Sequence, residues 1–130
     1  MTCAVVDGLW ERILDPKHPM HAWLAVKNGV HIGLAHAILH PHTFSLRTLC
    51  YLEDLWVTPI ARGNGVATTL IKHLSQVGKE EGWRRLYWET GTDNKSAQKL
   101  YDRISVRRPT IVYEMDLDSQ QSPSIEWQPS

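Results

Sequence analysis

A strand, a glycine-rich turn and an amphipathic helix follow one another between Tyr51 and Val77, and that order constrains the fold more than anything else in the chain. Tyr51-Leu52-Glu53-Asp54-Leu55-Trp56-Val57 is rich in aromatic and apolar residues and reads as a strand, with Pro59 as its breaker. Arg62-Gly63-Asn64-Gly65-Val66-Ala67 comes next, and Val66, Leu70, Leu74 and Val77 then fall on one helical stripe. This order aims several backbone N–H groups at one point, on the positive end of a helix dipole, where a phosphate is favoured. Two glycines let the backbone approach an anion with no Cβ in the way, and Arg62 adds a fixed positive charge.

Two common phosphate loops do not fit. A nucleoside-triphosphate loop needs a Lys and a Ser or Thr placed after its second glycine, and Gly65 is not followed that way. A dinucleotide loop needs a third glycine where Thr68 stands. Downstream, residues 86–90 read as a strand, and a helix opens at Asn94 in Asn94-Lys95-Ser96-Ala97-Gln98-Lys99-Leu100-Tyr101. The pattern Arg-x-x-Gly-x-Ala at 62–67, with Asn-x-x-Ala-x-x-Leu-Tyr at 94–101, resembles the signature of the GNAT superfamily of acyl-CoA N-acetyltransferases. The likeness spans most of residues 16–117. With Pro19-Met20-His21-Ala22 before a strand, it is closest to the branch that includes the histone-and-polyamine acetyltransferases.

The resemblance implies an α/β (α+β) GNAT fold: a mixed, mostly antiparallel sheet with a V-shaped opening, flanked by helices. It implies acetyl-CoA as co-substrate, with the pyrophosphate on Arg62, Gly63, Asn64, Gly65, Val66 and Ala67. It places the pantetheine arm along Leu55, Trp56 and Val57, with further cofactor contacts at Asn94, Ala97 and Tyr101. It also implies that a strand and helix normally preceding Val6 are lacking here, so that the domain over residues 1–118 is shortened at its start.

Composition sets limits on partners and compartment. The chain has 130 residues, enough for one domain with a real core. Fourteen basic residues balance fourteen acidic ones, so no charged field calls for nucleic acid. No apolar run approaches the ~20 residues of a membrane span. Cys3 and Cys50 form neither a disulfide framework nor a metal spacing, which points to the cytoplasm.

Along the chain, residues 6–14 read as a short helix and 23–26 as a strand, followed by an Asn28-Gly29 hairpin turn and a partner strand at 31–39. Residues 49–57 are the central strand, and a helix from about 65 to 79 stops at Gly82. The helix at 94–104 is followed by a last strand at 110–116, on which a homodimer would pair or exchange strands. Ser, Gln and Pro then dominate 119–130, which reads as a flexible tail, with Trp127 near its end.

The chemistry of amine acetylation narrows the catalytic candidates. An alkyl ammonium of pKa near ~10.4 must lose a proton first, at roughly 4–5 kcal/mol near neutral pH. A base lowers that barrier, N–H donors hold the oxyanion, and the leaving thiolate needs a proton. Glu53 is the first candidate base; strand alternation sets it on the face of Leu55 and Val57, opposite Asp54, for which a buried structural role is expected. Tyr101 lies four residues after Ala97 on the inward stripe of its helix. Such a tyrosine is ordinarily a packing residue; by the resemblance it protonates the CoA sulfur. Asn94 reads as a helix cap or as a CoA contact.

His36 and His40 share a strand face, but four residues at ~3.3 Å each hold them ~13 Å apart, too far for one metal ion without a bend. No metal is expected. The tryptophans read as core, with Trp56 and Trp88 on strands beside the cleft as walls for the acceptor, and Glu89 as an attractor for a cationic amine. The expected activity is acetyl transfer to the primary amine of a small molecule, a polyamine or an amino acid. The alternatives are a protein lysine or N-terminal acetyltransferase and a truncated, non-catalytic CoA-binding protein.

Overall fold

The computed structural model describes residues 19–118. β1 (Met20–Lys27) and β2 (Val30–His40) form an antiparallel hairpin. Its turn places Asn28 at φ 51° and Gly29 at φ 78°, the two left-handed conformations that a two-residue hairpin requires. β3 (Leu49–Val57) lies antiparallel to β2, and β4 (Arg85–Tyr87) lies parallel to β3. The sheet order is β1-β2-β3-β4, a mixed sheet dominated by antiparallel pairs. Between β3 and β4 runs α1 (Val66–Glu81), and α2 (Lys95–Ile104) follows β4.

One sheet face is small and apolar along β2, and α1 packs tightly on it. A Cβ at Gly33 would stand 3.1 Å from both Leu70 and Val66. Ala35, Leu52, Ile71 and Leu74 form the buried centre, against which Trp23, Leu55, Leu86, Trp88, Tyr101 and Ile104 pack. Leu74 is fully buried, and truncating it to Ala would cost about 2–5 kcal/mol.

The structure corrects two expected strands. The fourth runs over Arg85–Tyr87 rather than 86–90, because β3 and β4 pair only from Leu49 to Tyr51 and then part. Residues 106–116 form no strand; Ile111, Val112 and Tyr113 are 80, 72 and 88% exposed. Strand propensity needs a paired edge to become a strand. Here Arg107 holds the chain back on α2, bonding both carboxylate oxygens of Asp102 at 2.8 Å and Gln98 Oε1 at 3.2 Å. The expected helix at 6–14, the shortened start and Trp127 lie outside the described residues.

Candidate active site

The glycine loop is held at both ends and open in the middle. Thr58 N–H bonds the Ile32 carbonyl of β2 at 2.9 Å, and a single 3-10 turn, Pro59–Ala61, follows. Arg62 donates Nε to the Val57 carbonyl at 3.1 Å, and Asn64 Nδ2 donates to the Ala61 carbonyl at 3.3 Å. Gly63 and Gly65 sit at φ 82° and 75°. Nothing lies within 4 Å of a Cβ built on either, so backbone conformation, not crowding by protein, demands glycine there.

Gly65 caps α1, with no side-chain hydrogen bond to the cap. The first intrahelical bond is Thr69 N–H to the Gly65 carbonyl, 2.9 Å. The amides of the first turn have no partner within the helix. They open on a cleft of ≈ 680 Å³ whose other wall is Leu100, Arg103 and Ile104 of α2. The sequence reading missed those three, although Leu100 and Ile104 sit at i, i+4 spacing. Of the expected cofactor residues, Val57 and Arg62 to Ala67 line this cleft.

Beyond Tyr51 and Tyr87 the parting strands leave a wedge. Because Thr58 N–H turns to β2, the two-residue alternation turns the polar backbone of Trp56 to β2 as well. The N–H and C=O groups of Leu55 and Val57 therefore face the wedge. Trp56 is 49% exposed, on the opposite sheet face.

Glu53 is the residue of a β-bulge. His36 pairs with Asp54 and Ala37 with Leu52, so Glu53 has no cross-strand partner on β2. The simple alternation that would group it with Leu55 breaks at this position, and Leu52 takes the core face instead. Asp54 is not buried: its side chain is 66% exposed, with Oδ2 3.4 Å from His36 Nδ1.

Tyr101 is half-buried, its ring 5.4 Å from that of Trp88 at 67°. Burial raises its pKa, which keeps the phenol protonated. Asn94 caps α2, its Oδ1 accepting Ala97 N–H at 3.2 Å and Ser96 Oγ–H at 3.3 Å. Among the described residues no three His, Cys, Asp or Glu side chains converge as a metal ion requires.

A strand-loop-helix anion cradle beside a splayed sheet matches a known family over most of the chain. The model of the acetyltransferase (GNAT) family matches residues 4–105. The chain belongs to the GNAT acetyltransferase family. It is thus an acetyl-CoA-dependent acyltransferase with the GNAT fold. It is 31% identical over 111 residues to the D-amino-acid N-acetyltransferase HPA3 of Saccharomyces cerevisiae, spanning 84% of this chain and 69% of that one. It is likewise 31% identical over 103 residues to the aminoglycoside N(6')-acetyltransferase type 1 of Salmonella typhimurium, spanning 77% and 69%. Among solved structures it resembles the aminoglycoside N-acetyltransferase AAC(6')-Iy in complex with CoA, at TM-score 0.69 and 27% identity, over 86% of this chain and 84% of that one.

Proposed function

We propose that this GNAT acetyltransferase moves an acetyl group from acetyl-CoA to the primary amine of a small molecule, a polyamine or an amino acid. The observation that carries the reading is the uncapped first turn of α1, opening with Arg62 on a cleft that α2 closes. Relatives named for D-amino acids and aminoglycosides act on small amines, which supports the acceptor class.

In this reading the pyrophosphate of acetyl-CoA rests on Gly63 to Ala67 beside Arg62. The pantetheine lies in the wedge against the outward backbone groups of Leu55 and Val57, one N–H of which polarises the thioester carbonyl. Glu53 takes the ammonium proton through water, since the bulge displaces it from regular pairing. Tyr101 protonates the departing thiolate; its raised pKa means the proton is present to give.

Two further points belong to the same reading. The chain works as a homodimer in the cytoplasm, its exposed Ile111, Val112, Tyr113 and Met115 covered by a second copy. A single monomeric species by light scattering at high concentration would remove the dimer. Cys50 is buried with its thiol pushed up to about 12, so it is held as an unreactive thiol.

The deciding experiment is thiol release from acetyl-CoA across a panel of polyamines, amino acids and basic peptides. Turnover is expected with at least one small amine. Turnover on peptides alone would shift the reading to a protein acetyltransferase. CoA binding without turnover on any amine would leave a non-catalytic CoA-binding protein.

A further inference from the structure

The sheet face opposite the helices carries polar groups for which the roles above have no use. Tyr87 ends β4 and pairs with Tyr51 at the last rung before the strands part, with the two rings 5.0 Å apart. The Tyr87 hydroxyl reaches over β3 to the end of β2, where its oxygen lies 2.7 Å from His40 Nε2. His40 Nδ1 lies 2.9 Å from the Pro41 carbonyl oxygen. A carbonyl can only accept, so Nδ1 carries a proton, and in the neutral ring Nε2 is then an acceptor. The Tyr87 hydroxyl therefore donates to His40 and offers its own lone pairs to some other donor.

The reaction supplies such a donor. Acetylation of an ammonium removes two protons from nitrogen and places one on sulfur, so one reaches solvent. Glu53 has a role before attack. Attack then forms the C–N bond, sends the carbonyl π pair to oxygen, and leaves an adduct still protonated on nitrogen. That N–H is more acidic than an ammonium, because its carbon carries oxygen and sulfur, and a neutral imidazole is base enough for it.

The geometry points to Tyr87 and His40 as the acceptor of this second proton. The adduct N–H passes its proton to the Tyr87 oxygen as the phenol proton moves to His40 Nε2. The imidazolium, held by the Pro41 carbonyl, then gives it to water. Collapse of the adduct breaks the C–S bond, Tyr101 protonates the thiolate, and Tyr101 is refilled from solvent. The net release is one proton. Tyr87 is the catalytic member and His40 acts through it.

The placement supports this assignment. Helix-side packing fills the other face with Trp88 and Tyr101, so an amine meeting the thioester in the wedge comes from the Tyr87 side. Glu89, Arg85 and the thiol of Cys50 act on Tyr87, and Tyr51, which Glu53 and Asp54 also influence, stands beside it. Burial first, and then Glu89, raises the Tyr87 pKa, while Arg85 opposes. The phenol thus stays protonated and relays a proton rather than storing charge.

The inference rests on the acetyl-transfer reading, and its test separates the two. Tyr87→Phe keeps the ring and removes the hydroxyl. With the best amine, kcat should fall on the order of 100-fold with CoA affinity unchanged. That deficit should persist from about pH 7 to about pH 9, because the second proton leaves after the C–N bond forms. A Glu53→Gln deficit should instead shrink as the free amine becomes abundant. His40→Ala should show a similar loss, restored by added imidazole. Undiminished turnover in Tyr87→Phe, or a folded His40→Ala that ignores imidazole, would overturn the relay alone. Should His40→Ala fail to fold, Tyr87→Phe decides by itself. A parent that binds CoA but acetylates no amine overturns the acetyl-transfer reading, and the relay with it.

Discussion

The two ends of α1 use the same backbone device for opposite purposes. Gly65 at the start and Gly82 at the end both sit in the left-handed region, at φ 75° and 79°, and neither is crowded. At the C-terminal end the chain folds back on the helix. Gly82 and Trp83 N–H both reach the Gly78 carbonyl, the latter at 2.9 Å, closing a Schellman-type turn. Arg47 then bonds the Gly82 carbonyl at 3.0 Å and the Trp83 carbonyl at 2.8 Å. At the N-terminal end no side chain caps the helix, and the amides open on the cleft. A helix end closed by its own chain stabilises the fold. One left open has its donors ready for a ligand, which is what an anionic cofactor needs.

The largest expected effect tests chemistry on α2, the helix that faces the open end. Tyr101→Phe should lower kcat by about 100-fold or more, the range for loss of a positioned acid, with CoA affinity nearly unchanged because the ring still packs on Trp88. Steady-state turnover with calorimetric CoA binding checks it, and undiminished turnover removes the acid role.

Gly65→Val tests the open end itself. A β-branched residue at φ 75° is strained by ~1–3 kcal/mol, and in the proposed reading its side chain would stand where the phosphate approaches. CoA affinity should fall about tenfold or more. Gly82→Ala, strained in the same way at the closed end, should lower the melting temperature and leave CoA affinity alone. Equal losses of CoA affinity in both would erase the distinction between the ends.

Gly78→Ala sharpens the closed end. Helix propensity alone predicts a gain of up to ~1 kcal/mol. A Cβ at Gly78 would lie 2.5 Å from Trp83 Cε3, on a ring that closes the turn. The clash should win, with a net loss of ~1–3 kcal/mol by chemical denaturation. A stabilised variant would show that Trp83 moves freely and is not part of the cap.

The smallest effect lies beyond α2. Arg107 lowers the Asp102 pKa, chiefly by its hydrogen bonds, with Coulombic attraction adding. A carboxylate depressed in the folded state contributes stability above its unfolded pKa, and the contribution is lost as pH falls through the folded value. The pair is exposed, so the change should be slight. Melting curves of the parent and Asp102→Asn, measured from neutral pH downward, should converge in acid. A gap that widens in acid would contradict the sign.

The sequence by itself determined the parts of this protein that one continuous stretch can specify. Alternating strand residues, the Asn28-Gly29 turn, the helix ending at Gly82 and the cap at Asn94 were legible because each depends on neighbours a few residues away. So was the glycine loop from Gly63 to Ala67, which turns β3 into α1 and lines the cleft at the helix start. Tertiary structure decided what depends on partners far along the chain. It placed Leu100, Arg103 and Ile104 opposite the loop, and it set Glu53 in a bulge rather than in regular alternation. It ended β4 at Tyr87 and left 110–116 unpaired, because strand-forming residues without an adjacent edge have nothing to bond. It also joined His40 to Tyr87 across an intervening strand, at 2.7 Å and 47 residues apart in sequence. The physical reason is the range of the interactions. A turn or a helix cap is closed by local dihedrals and local hydrogen bonds, whereas a wedge, a bulge or a side-chain pair across a sheet exists only once register and packing have been settled by the whole fold.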